Sequence, residues 1–125
     1  MNNTGVPKNA LFTCFGCMSN VGALTGVAGL EAVKRAEPGQ AGIFCLAGLA
    51  TDAKTVIEKT EKAQRIVTVD GCPLNCARKL VERSGYTPDE TLMLVESAGI
   101  PKRSGHHFEP DEFERAVEAI LAAIK

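Results

Sequence analysis

Four short, almost uninterrupted apolar runs are spaced along the chain, with longer segments of mixed polarity between them. The runs cover residues 10–14, 42–46, 65–70 and 91–95. Continuous apolar runs of this length are typical of strands covered on both faces, as in a parallel sheet, whereas half-exposed strands alternate apolar and polar side chains. The pattern therefore predicts four buried parallel strands.

Helices are predicted in the segments that follow the runs, at residues 19–35, 52–62, 73–84 and 110–124. A proline at the first helical position is expected to open the last two, and Gly85 follows the third. Strands that alternate with helices through short connections indicate an α/β fold. We predict a three-layer sandwich with a parallel sheet of about four strands and crossover helices.

The last predicted helix has the clearest amphipathic pattern. Its apolar positions recur at helical spacing and are expected to cover the sheet: Phe113, Val117, Ile120, Leu121 and Ile124. The charged positions between them are expected to face away from the sheet: Glu112, Glu114, Arg115 and Glu118. The first helix is instead interrupted by Gly22, Gly26 and Gly29, for which close packing on the sheet is the favoured explanation. The alternative is that small residues near Gly22 leave room beside a site.

Composition narrows the function classes. The chain has 125 residues, of which 45% are hydrophobic, and this predicts one domain over residues 1–125 with a single core. The formal net charge is −1, no block of like charge is present, and aromatic residues are few, so no nucleic-acid partner is expected. No apolar run approaches the ~20 residues that cross a bilayer, so we expect a cytoplasmic protein without a membrane contact.

Five cysteines lie where the first three apolar runs give way to turns: Cys14, Cys17, Cys45, Cys72 and Cys76. The carboxyl ends of parallel strands meet at one edge of a sheet, which is also where α/β folds bind ligands. Disulfides are disfavoured in a reducing cytosol, and an odd number of thiols cannot all pair within one chain. The cysteines therefore predict a thiol site for metal binding or redox chemistry.

The spacing of Cys72 and Cys76 suggests how thiols are presented. If Pro73 opens the third helix, Cys72 occupies its N-cap and Cys76 lies one turn further in, on the same side of the helix start. The free N–H groups and the positive dipole end at such a position stabilise a thiolate. Cys14 and Cys17 are expected to lie similarly at the entry to the first helix.

Three segments carry a family resemblance: CFGCMSNVGALT, CLAGLA and VDGCPLNCA. They resemble the DGC-domain family of small bacterial and archaeal proteins, named for the Asp-Gly-Cys that here begins at Asp70. The motif-bearing part spans residues 11–85, and residues 91–125 add a C-terminal strand and helix. The resemblance implies a zinc site of four cysteines and no established enzymatic activity.

Carried over by position, the resemblance implies Cys14, Cys45, Cys72 and Cys76 as the four zinc ligands, with Cys17 least certain. Five thiols compete for four positions, so either Cys17 replaces Cys14 or Cys45, or one thiol stays free near the metal. A free thiol beside the metal would suit redox sensing or metal handover, because oxidation or ligand exchange could release the ion.

Several polar residues are candidates for supporting roles around the thiols. Asp70 is favoured as a turn and cap residue over a base, and Asn20 as a cap over a pocket residue. His106 and His107 follow the fourth strand and lie on the same edge, where a solvated loop is favoured over a ligand role. Lys102, in the same loop, would suit a small anionic ligand, although a solvated surface is favoured.

Three other functions compete with a structural, regulatory or metal-handling zinc site. Cys14-Phe15-Gly16-Cys17 has the spacing of a thiol-disulfide oxidoreductase motif and opens a predicted helix. An iron–sulfur cluster or another thiolate-bound metal cofactor also fits sulfur ligands. A catalytic zinc hydrolase is disfavoured, because four thiolates leave no open position for water, an objection that fails if only three cysteines bind. The sequence specifies neither a substrate nor a protein partner.

Overall fold

A computed structural model describes residues 5–125 of the chain and contains four strands and six helices within them. In chain order these are β1 (Asn9–Thr13), α1 (Asn20–Arg35), β2 (Ala41–Ile43), α2 (Leu46–Ala50), α3 (Lys54–Lys62), β3 (Arg65–Asp70), α4 (Cys76–Arg83), β4 (Glu90–Met93), α5 (Leu94–Ser97) and α6 (Pro110–Ala123). The four strands form one parallel sheet in the order β2-β1-β3-β4. The predicted α/β class and parallel sheet are confirmed.

Both faces of the central strands are covered by helices. Side chains of β1 and β3 that point to one face pack with α1 and α6: Leu11, Val67 and Val69. The intervening side chains pack on the other face, with residues of α2, α3 and α4: Ala10, Phe12 and Ile66. Burial on two faces is the physical reason that these strands are apolar without alternation.

The strand order places a topological switch between β1 and β3. The chain leaves β1 for β2 on one side of the sheet, and it leaves β3 for β4 on the opposite side. The two strands are paired up to Thr13 and Val69, and the N–H of Cys14 donates to the carbonyl of Val69 at 3.1 Å. In open α/β sheets the crevice for ligands lies beyond the carboxyl ends of such strands. Here Cys14 follows one of them and Gly71 follows the other.

The second strand is shorter than the predicted residues 42–46. It ends at Ile43, and the N–H of Phe44 still donates to the carbonyl of Leu11 at 2.8 Å. Cys45 then serves as the N-cap of α2, with its Sγ accepting from the N–H of Gly48 at 3.2 Å. The prediction that the apolar run continues as a strand was wrong because a thiol cap starts a helix inside it.

The C-terminal third contains two further corrections. The fourth strand ends at Met93 rather than residue 95, since Leu94 begins the unpredicted short helix α5. Pro110 does open α6, as predicted. Glu112 does not face solvent: it is 5% exposed, and its carboxylate accepts from the N–H of Glu109 at 2.9 Å. No helix within residues 5–125 combines the length and apolarity needed to cross a bilayer.

Candidate metal centre

A cavity of about 380 Å³ opens at the switch point between β1 and β3. Three thiols line it: Cys14 beyond β1, and Cys72 and Cys76 beyond β3. Cys14 and Cys72 are half-buried, whereas Cys76 is exposed. Two separate stretches of the chain thus bring three of the five predicted thiols to one cavity.

The other two cysteines lie elsewhere. Cys17 is exposed and its Sγ lies 3.8 Å from the carbonyl oxygen of Phe15. Cys45 lines a different cavity of about 320 Å³ with Val56 and Lys59, and its sulfur is the N-cap acceptor described above. Neither sulfur lines the cavity at the switch point.

The loop after β1 is held by Thr25 of α1. The Phe15 N–H donates to Thr25 Oγ1 at 2.8 Å, and that hydroxyl donates to the carbonyl of Gly22 at 2.8 Å. Cys14 Sγ lies 3.6 Å from Thr25 Oγ1. These contacts hold Phe15 in the left-handed region at φ 44°, which is unfavourable for a bulky residue. Thr25 is fully buried, and a threonine in the middle of the apolar stretch 21–30 was the signal in the sequence that could have found it.

Glycines bring both cysteine loops against the first turn of α1. A Cβ on Gly22 would lie 1.9 Å from the carbonyl oxygen of Gly16 in the first loop. A Cβ on Gly71 would lie 2.6 Å from the carbonyl carbon of Val21 and 2.7 Å from the nitrogen of Gly22. Gly22 also lines the cavity, so it serves both close packing and the site.

The loop after β3 differs from its prediction. Helix α4 begins at Cys76, not at Pro73, and its N-cap is Asn75 in the left-handed conformation at φ 51°. Cys72 precedes the helix in a turn closed by the Asn75 N–H, which donates to the Cys72 carbonyl at 3.1 Å. The predicted N-cap position of Cys72 and first helical position of Pro73 were therefore wrong.

Asp70 determines where α4 starts. Its two carboxylate oxygens accept from the N–H groups of Ala77 at 2.7 Å and Arg78 at 3.0 Å. The side chain is 1% exposed, and this burial raises the pKa of the Asp70 carboxyl although the two N–H donors act in the opposite direction. The favoured capping role of Asp70 is confirmed, and through it the residue positions Cys76.

A third segment brings a cation to the cavity. Lys102 Nζ donates to Cys72 Sγ at 3.5 Å. Among the described residues that line the cavity, Lys102 carries the one charged side chain apart from the ionisable thiols. The structure thus places this residue at the thiols rather than only in a solvated loop.

Asn20 holds the backbone on either side of Lys102. Asn20 Nδ2 donates to the carbonyl of Pro101 at 2.9 Å, and Asn20 Oδ1 accepts from the N–H of Arg103 at 2.6 Å. The Arg103 guanidinium pairs with Glu112 at 2.6 Å and holds the pKa of that carboxyl below its usual value. The favoured capping role of Asn20 was wrong, because Ser19 is the N-cap of α1; Asn20 positions the loop and does not line the cavity.

Comparison with known proteins assigns the chain to a family. The model of the DGC domain matches residues 10–120, from β1 into α6. The chain belongs to the DGC domain family. The DGC match therefore extends beyond the motif-bearing residues 11–85.

One curated relative is similar to this DGC protein over most of its length. It is the "Anaerobic and virulence modulator AnvM" of Pseudomonas aeruginosa, 32% identical over 109 residues. The aligned region covers 87% of this chain and 79% of the relative. No solved structure matches the chain.

The two histidines of the DGC protein lie outside the cavity. His106 and His107 are exposed, and neither is among the residues that line it. His107 Nε2 lies 3.0 Å from a carboxylate oxygen of Glu109. The structure does not bring these imidazoles to the thiols.

The donor chemistry of the cavity fits a thiophilic metal ion. Three thiols line it together with the thioether of Met18, and no carboxylate is among the described residues that line it. Within residues 5–125, no three His, Cys, Asp or Glu side chains are spaced to hold one ion as they stand. The sulfurs share a cavity, and binding an ion would require them to turn toward a common point.

Proposed function

We propose that this DGC-domain protein binds zinc through the thiols of the cavity between β1 and β3. The observation that carries the proposal is the convergence of Cys14, Cys72 and Cys76 on one cavity at the topological switch point. Thiolate zinc sites take four ligands. We propose Cys17 as the fourth, because it is exposed and lies in the same loop as Cys14.

Cys45 is left out of the proposed ligand set. Its sulfur accepts the N–H of Gly48, and it lines a separate cavity with Lys59. Recruiting it would uncap α2, whereas recruiting Cys17 gives up a weak contact of 3.8 Å to a carbonyl. This choice departs from the set implied by the family resemblance.

Lys102 supports an ion held by several thiolates. Four thiolates and one Zn²⁺ together carry a net charge of about −2. An ammonium that donates to Cys72 Sγ at 3.5 Å offsets part of that charge. Zinc bound by these residues would join the loop after β1 to the loop after β3, which is a structural or regulatory contribution and not a catalytic one.

A regulatory or metal-handling role is favoured over a purely structural one. The curated relative is named a modulator, which supports regulation. Two of the proposed ligands, Cys17 and Cys76, are exposed, so oxidants or competing ligands can reach them. Loss of the ion would then uncouple the two loops.

Metal analysis of single Cys→Ser variants tests the proposal. Protein purified without oxygen should contain about one zinc per chain and lack visible absorption, whereas an iron–sulfur protein would be coloured. Replacing Cys14, Cys17, Cys72 or Cys76 should abolish stoichiometric zinc, and Cys45→Ser is the matched control that should retain it. Full retention of zinc in both Cys72→Ser and Cys76→Ser would refute the site.

A thiol-disulfide oxidoreductase is the second candidate. The observation that favours it is the difference between the two thiols of the first loop, since Cys17 is exposed and Cys14 is half-buried. Cys-x-x-Cys motifs of dithiol enzymes carry an activated thiol, and reactive thiols are at least partly exposed, as Cys17 is. Zinc-free protein that cycles a Cys14–Cys17 disulfide would support this candidate, and zinc-bound protein with few reactive thiols would exclude it.

A further inference from the structure

Among the thiols of the described residues, Cys72 is the one that accepts a hydrogen bond from a cationic side chain, that of Lys102. We propose that, in the metal-free protein, Cys72 is a site of mixed-disulfide formation with small disulfides that carry carboxylates, and that Lys102 recognises them. The proposal goes beyond the proposed function and does not need it, because it concerns the protein without a metal ion.

Lys102 is held in place, although its side chain is exposed. The residues on either side of it, Pro101 and Arg103, are both hydrogen-bonded to the buried side chain of Asn20. The N–H of Asn20 also donates to the carbonyl of Arg103 at 3.1 Å. The ammonium thus projects from a fixed backbone toward Cys72 Sγ at 3.5 Å.

The surroundings of Cys72 suit a small organic anion. No carboxylate lines the cavity in the described part of the chain, so Lys102 makes it electropositive. The volume of about 380 Å³ lies within the range of small-molecule sites. Met18 and Leu74 line the cavity with apolar side chains that are 92% and 59% exposed, and they offer contacts to the body of such a ligand.

Accessibility alone predicts a different order of reactivity. Cys17, Cys45 and Cys76 are exposed, whereas Cys72 is half-buried. Among the hydrogen bonds found within residues 5–125, a cation donates to sulfur only at Cys72. If an anionic disulfide reacts preferentially at Cys72, the cause would therefore be the charge of Lys102 and not the exposure of the thiol.

The reaction is a thiol–disulfide exchange. The Cys72 thiolate attacks one sulfur of the disulfide, a Cys72–S–S–R bond forms, and the S–S bond of the reagent breaks. The other half leaves as a thiolate with the bonding electron pair and takes a proton from water. The Cys72 sulfur is oxidised, and the departing half of the disulfide is reduced.

The experiment compares three aliphatic disulfides on the metal-free full chain at one pH. The probes are dithiodipropionate, which is anionic, hydroxyethyl disulfide, which is neutral, and cystamine, which is cationic. Peptide mass spectrometry gives the rate at each cysteine. The ratio of anionic to neutral rates at one sulfur cancels its thiolate fraction. Comparing that ratio between two sulfurs also cancels the different intrinsic reactivities of the reagents, so the comparison isolates recognition of charge.

We expect the anionic-to-neutral ratio to be higher at Cys72 than at Cys17. Lys102→Gln should lower the ratio at Cys72 about fivefold, as expected for one charge a few ångströms away in a wet site. Lys102→Arg should preserve it, and the matched control Lys79→Gln, which removes an exposed lysine of α4, should leave it unchanged.

Two results would overturn the proposal. One is an equal ratio at Cys72 and Cys17 in the wild-type chain. The other is a Lys102→Gln variant, with a wild-type circular dichroism spectrum, that keeps the wild-type ratio. Zinc content is measured on separate samples, so failure of the zinc proposal and failure of this one are distinguishable.

Discussion

The two cysteine loops that follow the central strands share one backbone feature but are held by different side chains. The loop after β1 contains Phe15 at φ 44°, and the loop after β3 contains Asn75 at φ 51°, so each includes a left-handed residue that is not glycine. One buried side chain holds each loop. For the first it is Thr25, which follows the loop, and for the second it is Asp70, which precedes it.

The difference shows which part of each loop is fixed. The neutral hydroxyl of Thr25 bonds to the loop itself, at the N–H of Phe15, and lies beside Cys14 Sγ. The carboxylate of Asp70 spans its loop and bonds to the helix beyond it. Cys14 is thus positioned directly, whereas Cys76 is positioned through the start of α4.

Both loops depend on Gly22, where they meet the first turn of α1. Gly22→Ala should lower stability more than a change at either Asp70 or Thr25, because its Cβ would lie 1.9 Å from the carbonyl oxygen of Gly16 and backbone would have to move. We expect the free energy of unfolding to fall by about 3 kcal/mol, the upper range for overpacking. Urea denaturation of the metal-free protein measures it.

Gly16→Ala is the matched control for that clash. Gly16 is on the other side of the same contact, but a Cβ built on it meets no atom within 4 Å, and its φ is not positive. Stability should change by less than about 0.5 kcal/mol, as for ordinary surface substitutions. Equal losses in the two variants would mean that the loops do not meet at Gly22 as described.

The sequence predicted the sheet and the approximate positions of its strands because both follow from local apolar runs. The central strands β1 and β3 are buried on two faces, and their continuous apolar character follows from that burial, whereas the edge strands β2 and β4 are only partly buried. Cysteines placed after those runs then had to lie at one edge. Neither the sheet nor the shared edge depends on contacts between distant side chains, so both could be predicted from local sequence.

The details of the site could not be predicted from the sequence, because they depend on tertiary contacts. Pro73 has a general preference for the first helical position, but Asp70 captures N–H groups seven and eight residues ahead and moves the start of α4 to Cys76. Lys102 reaches Cys72 across thirty residues of chain. No local pattern encodes either contact.

Asp70→Ala should cause the second largest loss of stability. The local disturbance should be at the loop after β3 and the start of α4, and not at the loop after β1. The change leaves the N–H groups of Ala77 and Arg78 without their acceptor. We expect a loss of about 2 kcal/mol in the free energy of unfolding. Amide hydrogen exchange should accelerate at Ala77 while the Phe15 amide keeps its protection.

Asp70→Asn is the graded control, because its side chain keeps one oxygen acceptor and so can satisfy one of the two N–H groups. Its loss should lie between those of the wild type and Asp70→Ala. If Asp70→Asn were as damaging as Asp70→Ala, a single oxygen acceptor at this position would not be enough to hold the start of α4.

Thr25→Val should have the smallest effect, because the change removes neutral hydrogen bonds and preserves the shape of the side chain. The Phe15 N–H loses its acceptor, and the carbonyl of Gly22 loses a donor. Because the loop is exposed, water can replace part of these hydrogen bonds, so we expect the free energy of unfolding to fall by about 1 kcal/mol. Phe15 exchange should accelerate while Ala77 stays protected, the reverse of the Asp70→Ala pattern.

Thr25→Ser retains the hydroxyl and should keep Phe15 protected. Faster exchange at Ala77 in Thr25→Val would show that the two loops are held as one unit, and the separate roles of Thr25 and Asp70 would then be wrong.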